Sequence, residues 1–325
     1  MDYRRLGKHG VRVSEISLGA WLTYGGAVKE EQSHACIASA IENGVNFIDI
    51  ADVYAGGEAE KVVGKFLEEE TVRRQDVVIS SKVFWPMSEN INDRGLSRKH
   101  IRESIAGTLE RLGQTYIDIY YCHRFDRRTP LEETVSTMSD LVDEGLVHYW
   151  GTSVWTAANL ERAVGVANEL GAHPPAVEQP RYNMLDRYIE VDVMDSAVYH
   201  GIGLTVWSPL AGGILTGKYS EGIPEDSRAA KQQWMQKSIT DKQIMKVREL
   251  GELAESLEVT VSQLALAWIL RRPEISCAIT GATKPEHIES NVKASEVKLS
   301  DDNLAQIEEM LDNAPEQHQL YRPPW

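Results

Sequence analysis

An α/β fold, specifically a (β/α)₈ TIM barrel, is what this chain of 325 residues predicts, on three observations. Eight short apolar runs alternate with amphipathic stretches, the order of a parallel sheet wrapped in helices. No G-x-G-x-x-G follows the first run, so the usual sign of an open nucleotide-binding sheet is missing. The length exceeds the ~250 residues of a typical barrel and leaves a surplus to account for. Periodicity alone does not separate a closed barrel from an open doubly wound sheet; the missing fingerprint favours the barrel.

The elements follow in order. YRRLGKHGVRVS (3–14) predicts a hairpin turning at Lys8-His9-Gly10, placed to close the bottom of the barrel. EISLGAW (15–21) is the first strand and EEQSHACIASAIENG (30–44) its helix, ending on Gly44. VNFIDIA (45–51) and EAEKVVGKFLEEE (58–70) form the second pair, and VVISSKV (77–83) opens the third. Its helix, 97–113, has Ser97 as N-cap and Gly113 as stop. YIDIYYCH (116–123) leads to a helix over 130–145, with Pro130 in the first helical position. Strands at 147–153, 176–179, 203–209 and 275–281 complete the eight, with helices near 156–170, 187–200, 242–256 and 260–271. Nearly continuous apolar strands suit a sheet buried on both faces. The stretch 210–241 reads as a long functional loop after the seventh strand. SDDNLAQIEEMLDNAPEQHQLYRPPW (300–325) reads as a capped terminal helix and an extended tail. The whole chain, 1–325, is predicted to be one domain, without internal repeats.

Composition narrows the function. A net charge of −15 argues against nucleic acid, which needs a basic footprint. Any anionic ligand must therefore meet a local cluster of cations or a helix N-terminus. No apolar run reaches the ~18–20 residues of a membrane span, so no membrane insertion is expected. The start, MDYRRLGKHG, lacks the apolar core of a secretion signal, which makes the cytoplasm the expected compartment. Cys36, Cys122 and Cys277 are few, odd in number and far apart. They predict neither a disulfide framework nor a metal site.

Four polar residues fall at strand ends, where a barrel carries its chemistry: Asp49, Tyr54, Lys82 and His123. Each has a bland reading as cap, core residue, surface partner or structural histidine. Lys82 resists it most, because it ends a strongly apolar strand and lysine is seldom buried unpaired. Together the four make an acid–base group. A phenol titrates near ~10, and a neighbouring ammonium lowers that value. An aspartate offsets the burial of the ammonium. An imidazole hydrogen-bonds and orients a carbonyl.

These residues lie in motifs that resemble the aldo-keto reductases, over nearly the whole chain. D-x-A-x-x-Y stands here as Asp49 to Tyr54, S-K as Ser81-Lys82, and Y-C-H as Tyr121 to His123. The resemblance implies a catalytic tetrad with Tyr54 as proton donor, reducing small aldehydes and possible ketone substrates. It also implies a nicotinamide cofactor, NADP(H) preferred and NAD(H) possible. Ser153 of GTSVW and Gln179 of EQPRYN match residues that hold the nicotinamide carboxamide. Trp207 matches the stacking aromatic, and Trp21 is counted with the cofactor-binding residues. Ser208, Leu210 and Gly213 follow the pyrophosphate, Lys218 and Arg228 its phosphates, and Gly281, Thr283, His287 and Asn291 the adenosine. The usual basic motif at the 2′-phosphate is replaced by Gly281, Ala282 and His287, and position 290 is Ser where the family often has Glu. Trp21, Trp85 and Trp155 are expected to line an aromatic substrate pocket.

Phe84-Trp85, LTGKY (215–219), IPEDSRA (223–229) and GATKPEHIESN (281–291) are most similar to the potassium-channel β-subunit branch and its bacterial relatives. The branch's tetrameric members imply a homo-oligomer. They also supply a rival function, a channel-associated subunit that binds nicotinamide as a redox sensor. His123, where animal channel subunits usually carry asparagine, and a chain opening directly at the hairpin favour the enzyme.

Overall fold

Eight parallel strands close into a barrel in this computed structural model, which describes residues 1–316 apart from 22, 23, 27, 71, 226 and 238. The extended tail expected over 317–325 lies outside the described residues. An antiparallel hairpin comes first, β1 (Tyr3–Arg5) with β2 (Arg12–Ser14). The barrel strands are β3 (Ile16–Gly19), β4 (Phe47–Asp49), β5 (Val78–Val83), β6 (Ile117–Cys122), β7 (Val147–Ser153), β8 (Val177–Gln179), β9 (Gly203–Trp207) and β10 (Ile275–Thr280). Each pairs with its sequence neighbour, and β10 closes the ring on β3 through Ala278↔Ile16.

The helices of the outer layer run in chain order: α1 (Glu30–Glu42), α2 (Glu58–Glu69), α3 (Arg98–Leu112), α4 (Leu131–Asp143), α5 (Ala157–Leu170) and α6 (Val193–His200). Two four-residue helices, α7 (Arg228–Lys231) and α8 (Gln233–Gln236), lie within the stretch expected to be loop, after a 3₁₀ segment at Ala211–Thr216. Then come α9 (Asp241–Ser256), α10 (Val261–Leu270), α11 (Pro285–Val292) and α12 (Asp301–Leu311). Among the described residues no single helix is long and apolar enough to cross a membrane.

Capping chemistry explains several boundaries. Ser97 accepts from the His100 N–H, and Gly113 ends α3 in a left-handed conformation. Ser300 and Asn303 form a reciprocal capping box on α12. Pro130 departs from expectation. It is the cap residue before α4, at φ −53° and ψ 133°, and not the first helical residue.

The hairpin plugs the N-terminal end of the barrel. Leu6 and Val13 pack among Phe47, Val78, Val177 and Cys277 inside the ring. Closure there needs glycine: a Cβ on Gly203 would stand 2.8 Å from the Gly7 nitrogen. Arg4 then ties the hairpin to the last strand, donating to the Ile275 carbonyl at 2.8 Å and to Glu15 at 2.6 Å. With that end filled, chemistry is left to the C-terminal ends of the strands.

Candidate active site

Asp49 ends β4, Lys82 lies near the end of β5, His123 follows β6, and Tyr54 opens the 3₁₀ turn after β4. Lys82 is wholly buried and uses all three ammonium protons. It donates to Asp49 Oδ2 at 2.7 Å, to the Ile50 carbonyl at 2.7 Å and to the Tyr54 oxygen at 3.2 Å. Asp49 Oδ1 accepts from Ser80 Oγ at 2.7 Å and, across the barrel, from Gln179 Nε2 at 2.8 Å. Every polar atom of this ion pair is thus satisfied, which offsets the cost of burying it.

The electrostatics differ from the sequence expectation at one point. Burial pushes the Tyr54 phenol up, Lys82 pulls it down, and the net displacement is above the ordinary phenol value. The ammonium limits the rise without reversing it. Burial would lower the Lys82 ammonium, but Asp49 and Tyr54 hold it above its usual value. His123 is pushed well below the ordinary imidazole range by burial and by the charges of Lys82 and Arg124. It is therefore neutral at neutral pH, with Nδ1 buried and without a hydrogen-bond partner. The rings of Tyr54 and His123 meet edge to face, centroids 6.0 Å apart. A proton donor, a cation to hold its conjugate base and a neutral imidazole donor thus share one mouth.

A buried polar layer supports this group. Ser81 Oγ donates to Glu60 at 2.5 Å, and Arg111 pairs with the same carboxylate. Asp52 accepts from Ser104 Oγ at 2.9 Å and from the Val53 N–H at 2.6 Å. Burial and the nearby Glu60 charge push its carboxyl up to about 7. These bonds tie the Tyr54 turn, where Ala55 has φ 50°, to α3 behind it.

A second group of candidates gathers at β7 to β10. Ser153 Oγ donates to the Gln179 carbonyl at 2.9 Å, side by side in register. Trp207 stands with its ring edge-on to Trp21, centroids 6.0 Å apart, and its Nε1 is buried without a partner. Beyond it, Ser208 and Ala211 adopt left-handed conformations, as do Gly212 and Gly213. A Cβ on Gly213 would stand 2.8 Å from Lys218 Nζ, so that ammonium hangs over bare backbone. Leu210 leads into this segment as the residue before its 3₁₀ turn. Around Gly281 the space is open: its nearest neighbour to a Cβ would be the Gly19 carbonyl at 3.9 Å. Thr283 is exposed just before α11, while Asn291 is buried within that helix. His287 is pushed below its ordinary value by burial, Lys284 and Lys218. Cations therefore converge here in a chain of net charge −15, a donor set that fits phosphate groups. The Arg228 side chain lies outside the described residues.

Trp21 and Trp85 are each 38% exposed at the mouth. Trp155 is not: at 1% exposure it packs edge-on against Phe125, so it backs the wall instead of facing an open pocket. Sequence reasoning missed Glu178. This wholly buried carboxylate accepts from Thr152 Oγ1 and from the Trp155 N–H at 3.2 Å. Between them Val154, a β-branched residue, is held at φ 58°. Such a conformation is strained and persists only where neighbours fix it. Burial pushes the Glu178 carboxyl up to about 7, with Thr152 and the backbone N–H groups opposing.

The model of the aldo/keto reductase family matches residues 15–312. The chain belongs to the aldo/keto reductase family. Two full-length relatives within it are similar to the chain throughout. A protein of Arabidopsis thaliana, named a probable voltage-gated potassium channel subunit beta, is 44% identical over 99% of this chain and 100% of its own length. A protein of the same name from Oryza sativa subsp. japonica is 43% identical over the same shares. Aldo/keto reductases are oxidoreductases that act on small carbonyl compounds and generally use nicotinamide cofactors. In this aldo/keto reductase the converging groups stand at the C-terminal ends of the barrel strands, as the fold requires.

Proposed function

We propose that this chain reduces aldehydes, and ketones of similar size, to alcohols, with NADPH as preferred cofactor and Tyr54 as proton donor. The observation that carries the reading is the bonding of Lys82, which gives one N–H to the Tyr54 oxygen at 3.2 Å while Asp49 balances its charge at 2.7 Å. The bound nicotinamide supplies the hydride. As charge gathers on the carbonyl oxygen, Tyr54 transfers its hydroxyl proton to it, and Lys82 stabilises the phenolate left behind. Because the phenol lies above its ordinary value, it is fully protonated at neutral pH and ready to donate. His123, neutral, donates from one ring nitrogen to the same oxygen and orients it.

Ser153 and Gln179 would hold the carboxamide, Trp207 and Trp21 the nicotinamide ring, and Ser208, Leu210 and Gly213 the pyrophosphate. Lys218, Arg228 and His287 would meet the 2′-phosphate, with Gly281, Thr283 and Asn291 around the adenosine. Lys284, as the cap residue of α11, joins them. A panel of aldehydes assayed with NADPH and NADH tests the reading. Absence of turnover with every carbonyl and both cofactors would overturn it.

NADPH is expected to bind at least several-fold tighter than NADH in fluorescence titrations, because one charge-assisted contact is worth roughly 1.5–3 kcal/mol. Arg228→Ala should weaken NADPH more than NADH. Partial burial and the charges of Lys284 and Lys218 lower the His287 imidazole from its ordinary value, and a phosphate dianion favours its charged form. The preference should therefore grow as pH falls toward ~6. Equal affinities in the native protein would defeat the assignment.

Glu178→Ala should loosen the Val154 turn that carries Ser153, since it removes the acceptors of both the Thr152 hydroxyl and the Trp155 N–H. Cofactor affinity is expected to fall about tenfold, with the melting temperature as a control for folding. An unchanged dissociation constant would remove Glu178 from any positioning role.

A second reading has its own support in the names of the two plant relatives. By it, the same barrel binds a nicotinamide cofactor and docks on a potassium channel as a redox sensor. Co-purification of a membrane channel with the native chain tests it independently of turnover.

A further inference from the structure

The geometry points to Arg124 as an anion-recognition site at the rim of the catalytic pocket, and to aldehydes bearing a carboxylate as the favoured substrates. This rests on the reductase reading above and adds the substrate's second functional group.

Arg124 follows His123 directly and is partly buried. Its Nη1 donates to the His123 carbonyl at 2.5 Å, and its guanidinium lies 5.7 Å from the Trp85 ring centroid. The Trp85 ring is in turn 6.2 Å from that of His123. The guanidinium therefore shares the mouth with two of the groups that face the carbonyl. Its charge also reaches the Tyr54 phenol.

What separates Arg124 from its peers is the lack of a partner. Every other partly or wholly buried arginine among the residues with described side chains pairs with a carboxylate, from Arg4–Glu15 to Arg272–Glu190. Arg124 makes no ion pair among the described residues, and four of its five N–H donors have no acceptor there. Glu178 is the carboxylate whose field it feels most, but that group is already committed to Thr152 and the Trp155 N–H. The guanidinium is half buried with no carboxylate beside it, and its unpaired N–H groups are open to a ligand that brings one. The planar fork suits a carboxylate held by two parallel hydrogen bonds. Trp85, 38% exposed between Arg124 and His123, offers apolar surface for a spacer between the two ends of such a molecule.

The rest of the chain works against an anion. At net charge −15 the long-range field repels it, so a preference for an acid must come from a local contact.

The test compares 4-formylbenzoate with its methyl ester, which keeps the ring and aldehyde and removes the charge. The ratio of kcat/KM, acid over ester, is expected to be about tenfold or more in the native protein with NADPH. Arg124→Met should bring the ratio to about one or below, and Arg124→Lys, which keeps charge without the fork, should give an intermediate value. A native ratio near one, or a ratio unchanged in Arg124→Met, overturns the proposal. If neither compound is turned over, the reductase reading is left to the wider panel of aldehydes with both cofactors. Quenching of tryptophan fluorescence by 4-formylbenzoate then still decides the anion site. Tighter binding to native protein than to Arg124→Met supports it, and equal binding removes it.

Discussion

Tyr54→Phe is expected to lower carbonyl turnover by about 10²–10⁴, the usual contribution of a positioned general acid. The phenol oxygen is the atom that Lys82 reaches at 3.2 Å, and phenylalanine removes that atom and its proton alone. The ring keeps its edge-on contact with His123 and its place over the Lys82 ammonium, 4.8 Å from centroid to nitrogen. Cofactor affinity, read by fluorescence quenching, should therefore stay near native while kcat falls. Near-native turnover in this variant would sink the tetrad assignment. A parallel loss of cofactor binding would instead indicate a collapsed site.

Lys82→Met should be as damaging, through a different property. Without the ammonium, burial and the Asp49 charge act on the phenol in the same direction, and its pKa moves further up. Reduction uses the protonated phenol, so activity is lost as pH rises through that pKa. In the variant the loss moves to higher pH, while the plateau drops because the phenolate is no longer stabilised. An unmoved pH profile would take Lys82 out of the mechanism. The substitution also leaves Asp49, 3% exposed, as a buried charge without its partner. Breaking such a pair costs about 3–5 kcal/mol. The double variant Asp49→Asn with Lys82→Met removes that charge, and Ser80 and Gln179 remain as neighbours for the amide. Its melting temperature should recover toward native while turnover does not. Recovery of both would mean that the pair is only structural.

The barrel was legible because its signals are local. Val147–Ser153 appears at the bounds its apolar run predicts, and Ser97 and Gly113 act as their residue types require. The four-residue helices α7 and α8 were not legible, since one turn carries no periodicity to read. Asp49, Tyr54, Lys82 and His123 stood out because their residue types are costly at the ends of buried strands. Arg124 and Glu178 also stand at or beside strand ends, and their residue types alone gave no such sign. Whether a charge beside a strand end faces solvent, a partner or a pocket depends on segments far along the chain. Glu178 is explained by Thr152 and Trp155 on the adjoining strand and turn, and Arg124 by the missing partner that only three dimensions reveal. The same limit applies to Trp155, buried behind Phe125, and to the Tyr54 phenol, whose burial outweighs the ammonium beside it.

The plug at the bottom of the barrel also constrains how the molecule is made. Arg4 donates to the carbonyls of Leu270, Arg272 and Ile275, partners 266, 268 and 271 residues away. Synthesis runs from the N-terminal side, so the hairpin leaves the ribosome long before its acceptors exist. At about 5–20 residues per second, that interval is tens of seconds or less. Throughout it Leu6 and Val13 have no closed ring to fill, since the β10 wall is still untranslated. The hairpin, made before every barrel strand, is thus among the last elements to find its place, and ring closure cannot precede synthesis of β10. Contacts of such long sequence separation make for slow final folding. A nascent chain stalled before Ile275 would carry an open sheet edge, the surface on which chaperones and aggregation compete.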